Sequence, residues 1–330
     1  MNRKIQLFLY TSLIVFAGIS CAHEHLSDFP VLKGPYLGQK PPGRQRTIFA
    51  PGIVSTGYNE HGVSFTPDGK EVFWRLLGAP HGITLTMREE EGGWTPPQVA
   101  FFSGKYDGKC SLAPDGKTIL MSWGSPPSGE GPPLDHWTIW IIKRTNTGWG
   151  KPRNLPHLIG ACPTMSNNGT IYFYARGENN KGDIYRSLFK NGKYGRAQKV
   201  EAPISTEYWE NDPYIAPDES FLVFQSTRPG TLGEGDLFVS FRLKDGRWSE
   251  PKNLGEGINT GESGEGCPWV TPDGKYLFFS SSTRTLPNYS SVPLTLEKKL
   301  EILSQPGHGS EDVFWVDARI IEDLKPEELK

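Results

Sequence analysis

Short apolar runs recur along the chain, and each of them follows a tight polar turn. The runs lie at residues 72–74, 119–121, 171–174, 222–224 and 277–279. Runs of this length, bounded by Gly, Pro, Asn and Asp, are typical of β-strands. The body of the chain has no sustained i, i+3, i+4 apolar pattern of the kind that a helical or α/β fold needs. The pattern therefore predicts an all-β protein built from many short strands.

The turns belong to an internal repeat. Five segments align without gaps, at residues 60–69, 107–116, 160–169, 210–219 and 265–274. The turn positions 68, 115, 168, 218 and 273 are 47, 53, 50 and 55 residues apart. Three copies read Pro-Asp-Gly there, whereas the third copy has Asn167 and Asn168, and the fourth has Glu219 in place of Gly. Because Pro presets φ, Asp bonds back to the backbone and Gly accepts positive φ, each turn predicts a hairpin between two strands.

Each copy continues into a third strand, and the first four copies add an aromatic turn and a fourth strand. The last copy lacks this fourth strand, but residues 44–53 resemble the fourth-strand segment 195–204 of the third copy. An N-terminal strand that completes the last blade would close a ring and remove both sheet edges. The sequence therefore predicts a five-bladed β-propeller with an N-terminal strand closing the last blade. The blades are expected near residues 60–106, 107–158, 160–205, 210–260 and 265–321 plus 44–53, within a domain spanning 44–322 and before a C-terminal tail at 323–330.

The turn sequences also resemble those of a known repeat family. The carrying motifs are Thr-Pro-Asp-Gly-Lys at 66–70 and 271–275, Ala-Pro-Asp-Gly-Lys at 113–117, Ser-Thr-Arg-Pro-Gly at 226–230, Gly-Asp-Ile-Tyr at 182–185 and Gly-Asp-Leu-Phe at 235–238. They are similar to the Pro-Asp-type repeat of TolB-like periplasmic proteins, a distant relative of the WD-type repeat. The resemblance covers residues 44–322 and implies a propeller. It implies little about function, because the same repeat serves binding proteins, peptidase gating domains and polysaccharide lyases.

The N-terminus carries the pattern of an export signal. Arg3 and Lys4 precede an apolar run from Ile5 to Ile19, and Ser20 and Cys21 follow. This order predicts a signal peptide at residues 1–20, and the run is short for a membrane span. Ala-Gly-Ile-Ser-Cys at 17–21 resembles a bacterial lipobox, with Gly18 where Leu is usual, which implies a mature chain beginning at a lipidated Cys21. The alternative is ordinary secretion with Cys21 as a bystander. Residues 21–43 are expected to form a lipid-anchored tether in the periplasm or at the cell surface.

Composition excludes one class of partner. The net charge is −2, from 35 basic and 37 acidic residues, so no basic field favours nucleic acid. The other cysteines, Cys110, Cys162 and Cys267, match no zinc-site spacing and are interpreted as small buried hydrophobes. Among the few histidines, His61 stands beside Glu60 on a loop before an innermost strand. We expect no metal, no cofactor and a monomeric chain.

One end of the propeller, here called the top face, is the predicted site. It carries the loops that lead into the innermost strands and those that join each second strand to the third. Acidic residues occupy the same repeat position in four copies, and arginines follow the second strands. The candidate ligand-binding ring consists of Glu60, His61, Asp107, Glu210, Asp212, Glu265, Arg176, Arg228 and Arg284. The competing interpretation is that these acids and arginines tie neighbouring blades together.

Two top-face loops are long, at residues 124–136 and 281–311, and the second contains an amphipathic pattern at 294–303 that predicts a short helix. No Gly-x-Ser-x-Gly elbow, Walker loop, dinucleotide fingerprint or His-Glu-x-x-His helix occurs. The leading hypothesis is a non-catalytic binding or scaffold protein for a glycan or an envelope protein. The alternative is a carbohydrate-active enzyme, a lyase or glycosidase working in the top-face funnel, and blade-to-blade differences would decide between the two.

Overall fold

A computed structural model describes residues 29–103, 107–124, 136–177, 181–287 and 293–330. The predicted signal peptide, Cys21 and residues 125–135 and 288–292 of the two long loops lie outside the described residues. The described chain forms a five-bladed β-propeller of small antiparallel sheets, which confirms the predicted fold class.

The strands follow one another blade by blade. The closing strand β1 is Thr47–Ile48. Blade one contains β2 (Asn59–Phe65), β3 (Glu71–Leu77), β4 (Ile83–Glu90), β5 (Gly93–Trp94) and β6 (Gln98–Val99). Blade two contains β7 (Asp107–Leu112), β8 (Thr118–Trp123), β9 (Thr138–Thr145), β10 (Gly148–Trp149) and β11 (Arg153–Ile159). Blade three contains β12 (Ala161–Met165), β13 (Ile171–Arg176), β14 (Gly182–Ser187), β15 (Phe189–Lys190), β16 (Lys193–Tyr194) and β17 (Gln198–Lys199). Blade four contains β18 (Glu210–Ile215), β19 (Phe221–Ser226), β20 (Asp236–Phe241) and β21 (Lys252–Asn253), and blade five contains β22 (Glu265–Val270), β23 (Tyr276–Ser281) and β24 (Asp312–Asp317).

The ring closes where the sequence predicted. Strand β1 pairs antiparallel with β24, with Thr47 opposite Trp315 and Ile48 opposite Phe314. Phe49, fully buried, then packs edge-on against Phe278 and Trp315, with ring centroids 5.1 Å away in each case. The N-terminal strand therefore contributes both backbone pairing and aromatic packing to the last blade.

Two segments differ from their predicted form. Residues 29–43, predicted as tether, lie partly on the propeller: Leu37 is 1% exposed, and the Trp94 backbone amide donates to the Leu32 carbonyl at 2.9 Å. At the other end, the last strand stops at Asp317 and a short helix, Arg319–Asp323, follows where the strand was expected to run to 321. Both segments pack apolar side chains against the core. The prediction differed because the first segment is rich in Pro and Gly and the second is charged, which are features typical of exposed chain.

The two departures from the repeat contact each other. Glu219 occupies a turn position with φ of 60°, which Gly would adopt without strain. Its carboxylate accepts hydrogen bonds from Asn168 Nδ2 at 3.1 Å and from Ser166 Oγ at 2.9 Å in the neighbouring blade. An Asp at 168, as in most copies, would place a second carboxylate there. The change in the third copy is therefore matched to the change in the fourth.

The predicted helix in the last long loop is confirmed as Leu296–Leu303. Thr295 caps it, since its side chain accepts from the Lys298 amide at 3.1 Å. The helix ends beside Gly57, where a Cβ would lie 2.3 Å from the Leu303 carbonyl oxygen. Gly57 therefore lets the helix rest on the loop that precedes blade one.

Candidate functional site

Each innermost strand of four blades begins with a buried acid. Glu60, Asp107, Glu210 and Glu265 are at most 1% exposed. They start β2, β7, β18 and β22 or lie one residue inside. Their shared repeat position thus corresponds to a shared place in the fold, at the start of the innermost strands.

These four acids bind the loops in front of them. Glu210 accepts from the Thr206 amide at 2.9 Å, from Thr206 Oγ1 at 2.7 Å and from Ser226 Oγ at 3.1 Å. Glu265 accepts in the same way from the Thr260 amide at 3.2 Å, and Glu60 from the Thr56 amide at 3.1 Å. In the sequence, these hydrogen bonds are signalled by a Thr four or five residues before each Glu.

Asp107 binds a side chain of its own blade, the loop before it and a strand of blade one. It accepts from Trp123 Nε1 at 2.8 Å and from Ser103 Oγ at 2.6 Å, and it also accepts from the Thr84 amide of blade one at 3.2 Å. The contacts of all four acids are therefore those expected of blade and loop ties. Their role in ligand binding stays a prediction.

The three predicted arginines are placed differently from one another. Arg228 binds Glu210 at 3.2 Å and donates to the Ile204 carbonyl at 2.7 Å, so it ties blade four to the loop before it. Arg176 is exposed and lies over the Trp209 ring, 6.0 Å from its centroid. Arg284, also exposed, packs over Gly309. Arg228 thus forms an ion pair with an acid of the predicted ring.

A second ring of residues lies closer to the propeller axis. It is formed two residues further along each innermost strand by Gly62, Lys109, Cys162, Asp212 and Cys267. A β-bulge interrupts the pairing of every innermost strand at this point. Four of the five residues have positive φ there, between 47° and 68°. The bulge turns each of these positions away from the ladder, and we call the set the axial ring.

The axial ring holds an ionised carboxylate among thiols. Asp212 Oδ2 accepts from the Cys267 amide at 2.8 Å and lies 3.3 Å from Cys267 Sγ. Burial opposes ionisation of Asp212, but Lys109, Cys162 and the Cys267 amide together hold its pKa below the usual range. Burial, followed by the charge of Asp212, raises the pKa of both the Cys162 and Cys267 thiols. Both cysteines are therefore neutral thiols able to donate to Asp212.

Above the axial ring the top face opens into a cavity of about 320 Å³, which we call the funnel. Its walls are lined by His61, Arg75, Trp137, Asn211, Gln225 and Glu311. His61 Nδ1 lies 3.2 Å from Glu311 Oε2, and Arg75 Nη1 lies 3.3 Å from His61 Nε2. Since Arg75 can only donate, His61 accepts at Nε2 and donates from Nδ1 to Glu311.

The funnel wall contains unused hydrogen-bonding groups. Arg75 Nε and Ser122 Oγ are buried, and neither has a hydrogen-bond partner among the described residues. Gly108 makes room beside them, because a Cβ there would lie 2.2 Å from Ser122 Oγ and 2.7 Å from the Trp137 ring. A buried polar group without a hydrogen bond destabilises a fold by about 1–3 kcal/mol. A ligand or a water molecule in the funnel would recover this free energy by bonding to Arg75 Nε and Ser122 Oγ.

The structure brings together only some of the predicted residues. His61 and Asp212 line the funnel, whereas the buried acids lie outside its lining. Sequence reasoning missed Lys109, Trp137, Asn211 and Gln225 as funnel residues. The axial position has no shared residue type across the copies, so the repeat comparison gave no signal for Lys109.

Larger grooves exist at the opposite end of the propeller. One of about 690 Å³ lies between blades one and two and is lined by turn residues such as Asp68, Asp115 and Arg144. Its charged groups are engaged with each other, as in the ion pair of Arg144 with Glu71 at 2.6 Å. The funnel, with its unmet polar atoms, is the better candidate despite its smaller volume.

Among the described residues, no three His, Cys, Asp or Glu side chains are grouped so that they could hold a metal ion. No helix formed by those residues has the length and apolar character needed to cross a membrane.

No protein-family model matches the chain, and no curated protein matches it. Solved structures of similar fold include TolB from Acinetobacter baumannii, which is 20% identical over 62% of this chain and 45% of that chain, with a TM-score of 0.43. A thermostable family-43 glycoside hydrolase is 14% identical over 81% of this chain and 91% of its own, with a TM-score of 0.48. An α-L-arabinofuranosidase from Lactobacillus brevis is 12% identical over 80% and 91%, also with a TM-score of 0.48. The chain thus spans less than half of the TolB chain, and these are similarities of fold.

Proposed function

We propose that this protein is a non-catalytic binding protein that holds a glycan in the funnel. The supporting observation is the pairing of an aromatic wall with unmet polar atoms. Trp137 lines the same cavity as Arg75 Nε and Ser122 Oγ, which have no partner among the described residues. Sugars present apolar C–H faces and hydroxyl edges, and such a wall matches both.

The acids near the funnel favour binding over catalysis. The four buried acids of the inner strands are occupied by loop amides and hydroxyls. Asp212 is held by the Cys267 amide and both axial thiols, and its lowered pKa makes it a poor proton donor. Glycoside hydrolysis usually needs one carboxylic acid whose pKa is raised beside a second carboxylate.

A glycan panel tests the proposal, with binding measured by calorimetry and cleavage by product analysis. We expect binding without new reducing or unsaturated ends, and we expect Trp137→Ala to weaken it by about tenfold or more, the usual cost of losing an aromatic contact. Trp149→Ala is the matched control, because Trp149 stacks on Arg144 away from the funnel. Equal loss in both variants, or no binding by the wild type, would contradict the proposal.

The second candidate is a glycoside-cleaving enzyme. One observation favours it: Asp212 and Glu311 both line the funnel, and Glu311 is bonded to His61. In that case the same panel would release products, and Glu311→Gln would abolish release while leaving binding in place.

The binding protein is further proposed to be exported and anchored by a lipid on Cys21, which lies outside the described residues. The signal pattern at residues 1–20 supports this. Labelled palmitate should enter the wild-type chain and not Cys21→Ala. Equal labelling of both would show that the anchor is absent or attached elsewhere.

A further inference from the structure

Arg75 is a largely buried cation without an acidic partner. No carboxylate of the described residues lies within 4.0 Å of its guanidinium, and its Nε has no hydrogen bond. The contact at Nη1 is with the ring of His61. Gly82 makes space for the side chain, because a Cβ at 82 would lie 3.0 Å from Arg75 Nε and Nη2. Burial lowers the pKa of Arg75, as expected for a charge with little compensation.

Lys109 brings a second cation to the same cavity. It is 3% exposed, and its Nζ reaches the Pro268 carbonyl at a long 3.5 Å. Burial disfavours its charge, but the ionised Asp212 nearby raises its pKa overall. An ammonium has three donors, and one long bond leaves most of this capacity unused.

The two acids that line the funnel, Asp212 and Glu311, already have hydrogen-bond partners. Asp212 is turned towards the Cys267 amide at 2.8 Å, and no ion pair within 4.0 Å joins it to Lys109 among the described residues. Glu311, on the rim, is bonded to His61. The funnel lining thus carries two cations, Arg75 and Lys109, and two carboxylates, Asp212 and Glu311, which already have other partners. Among the described residues no carboxylate lies within 4.0 Å of either cation, so their free N–H groups can bind an anionic group of a ligand.

We infer that the funnel selects an acidic glycan, with one anionic sugar substituent held between Arg75 and Lys109. The inference rests on the proposed function and adds the chemical class of the ligand. Arg75 would bind the anion with the directed N–H groups of a guanidinium, and Lys109 would act as a point charge from below. A carboxylate and a sulfate share this chemistry, and the experiment separates them.

The probes are hexasaccharides of galacturonate and of hyaluronan, each beside its methyl ester, with a carrageenan hexasaccharide as the sulfated form. We expect one of the uronates or the sulfated form to bind the wild-type protein about tenfold or more tightly than the esters. Arg75→Gln should weaken binding of the acidic form far more than binding of the ester, and so abolish this preference. A folded Lys109→Met variant should likewise lose the preference for the acidic form. If Lys109→Met does not fold, the Arg75→Gln result decides.

Arg144→Gln is the control, since Arg144 pairs with Glu71 at the opposite end of the propeller. It should keep the full preference for the acidic form. Esters that bind as tightly as the acids, or an unchanged preference in Arg75→Gln, would overturn this inference alone. A wild-type protein that binds neither acids nor esters would overturn the proposed function together with it.

Discussion

At the scale of single residues, burial decides what the charged side chains of this propeller can do. Glu60, Asp107, Glu210 and Glu265 are matched by loop amides and hydroxyls. Lys109 is buried and Arg75 is half-buried, and their N–H donors are largely unmet among the described residues. The first group therefore stabilises loops, and the second has capacity for a ligand.

Glu210→Gln should destabilise the fold without affecting the funnel. A Gln would present an amide to the Thr206 amide or to Arg228, where a carboxylate now accepts. We expect a loss of about 1–3 kcal/mol in the free energy of unfolding, measured with urea, and unchanged glycan affinity. The exposed Glu207→Gln is the control and should change neither. Lost affinity with unchanged stability would instead assign Glu210 to the ligand.

Asp312 predicts a pH dependence of stability. Burial, with the charges of Glu60 and Glu311, raises its pKa to about 7. Near pH 4 it is protonated in the folded state, and the unfolded chain gains little by ionising it. As the pH rises towards 7, only the unfolded chain loses the proton freely, so stability falls, by on the order of 2–4 kcal/mol up to pH 8.

Asp312→Asn should remove this decline. The amide oxygen can still accept from the Gly307 amide, now 2.7 Å from Oδ2, and the other carboxylate oxygen has no partner to lose among the described residues. We expect the variant to be more stable than the wild type at pH 8, by urea unfolding. Asp236→Asn is the control and should be less stable at both pH values, because Asp236 accepts from Asn253 Nδ2 at 2.6 Å. A decline of equal size in Asp312→Asn would place its cause elsewhere.

At the scale of elements, the repeat tolerates a change in one blade where its neighbour compensates. The turns after β12 and β18 meet through Asn168 and Glu219. The carboxylate of Glu219 also binds Arg242 at 3.2 Å. The turns of the repeat thus form contacts between neighbouring blades as well as closing hairpins.

Asn168→Asp, which restores the common residue, should therefore destabilise the protein. It would set two carboxylates where Asn168 Nδ2 and Glu219 Oε1 are now 3.1 Å apart. We expect a cost of about 1–3 kcal/mol, and almost none in the Glu219→Gly background. The double-mutant cycle, measured by urea unfolding, gives the coupling, and additive effects would show that the turns are independent.

At the scale of the whole molecule, stability depends on closing the ring between its two ends. Strand β1 covers the edge of β24, and Phe49 fills the space between the first and last blades through contacts with Phe65 and Phe278. The outer edge of β24, which would otherwise be unpaired, is thus covered by a strand from the other end of the chain.

Removing residues 44–53 should abolish cooperative thermal unfolding, because both an edge strand and an aromatic core side chain are lost. Phe49→Ala alone should cost about 3–5 kcal/mol. Removing residues 327–330, of which none is fully buried and only Leu329 packs against the core, is the control. A 44–53 deletion that unfolds like the wild type would show that closure contributes nothing.

Turn chemistry and strand period determined by themselves that this chain is a five-bladed propeller closed by its N-terminal strand. Both are local properties that recur in five copies, and each copy predicts the same arrangement of strands. The short helix at 296–303 was likewise predictable from its apolar spacing. The packing of residues 29–43 was not, because their contacts are with distant turns.

Only the tertiary structure decided which side chains share the funnel. Arg75 comes from the second strand of blade one and Lys109 from the bulge in the innermost strand of blade two, and both line the funnel. The buried acids looked equally suitable in the sequence, but in the structure they accept hydrogen bonds from loop amides and lie outside the funnel lining. A repeat fixes backbone positions through local geometry, whereas the chemistry at the axis depends on a position whose residue type is not set by the repeat.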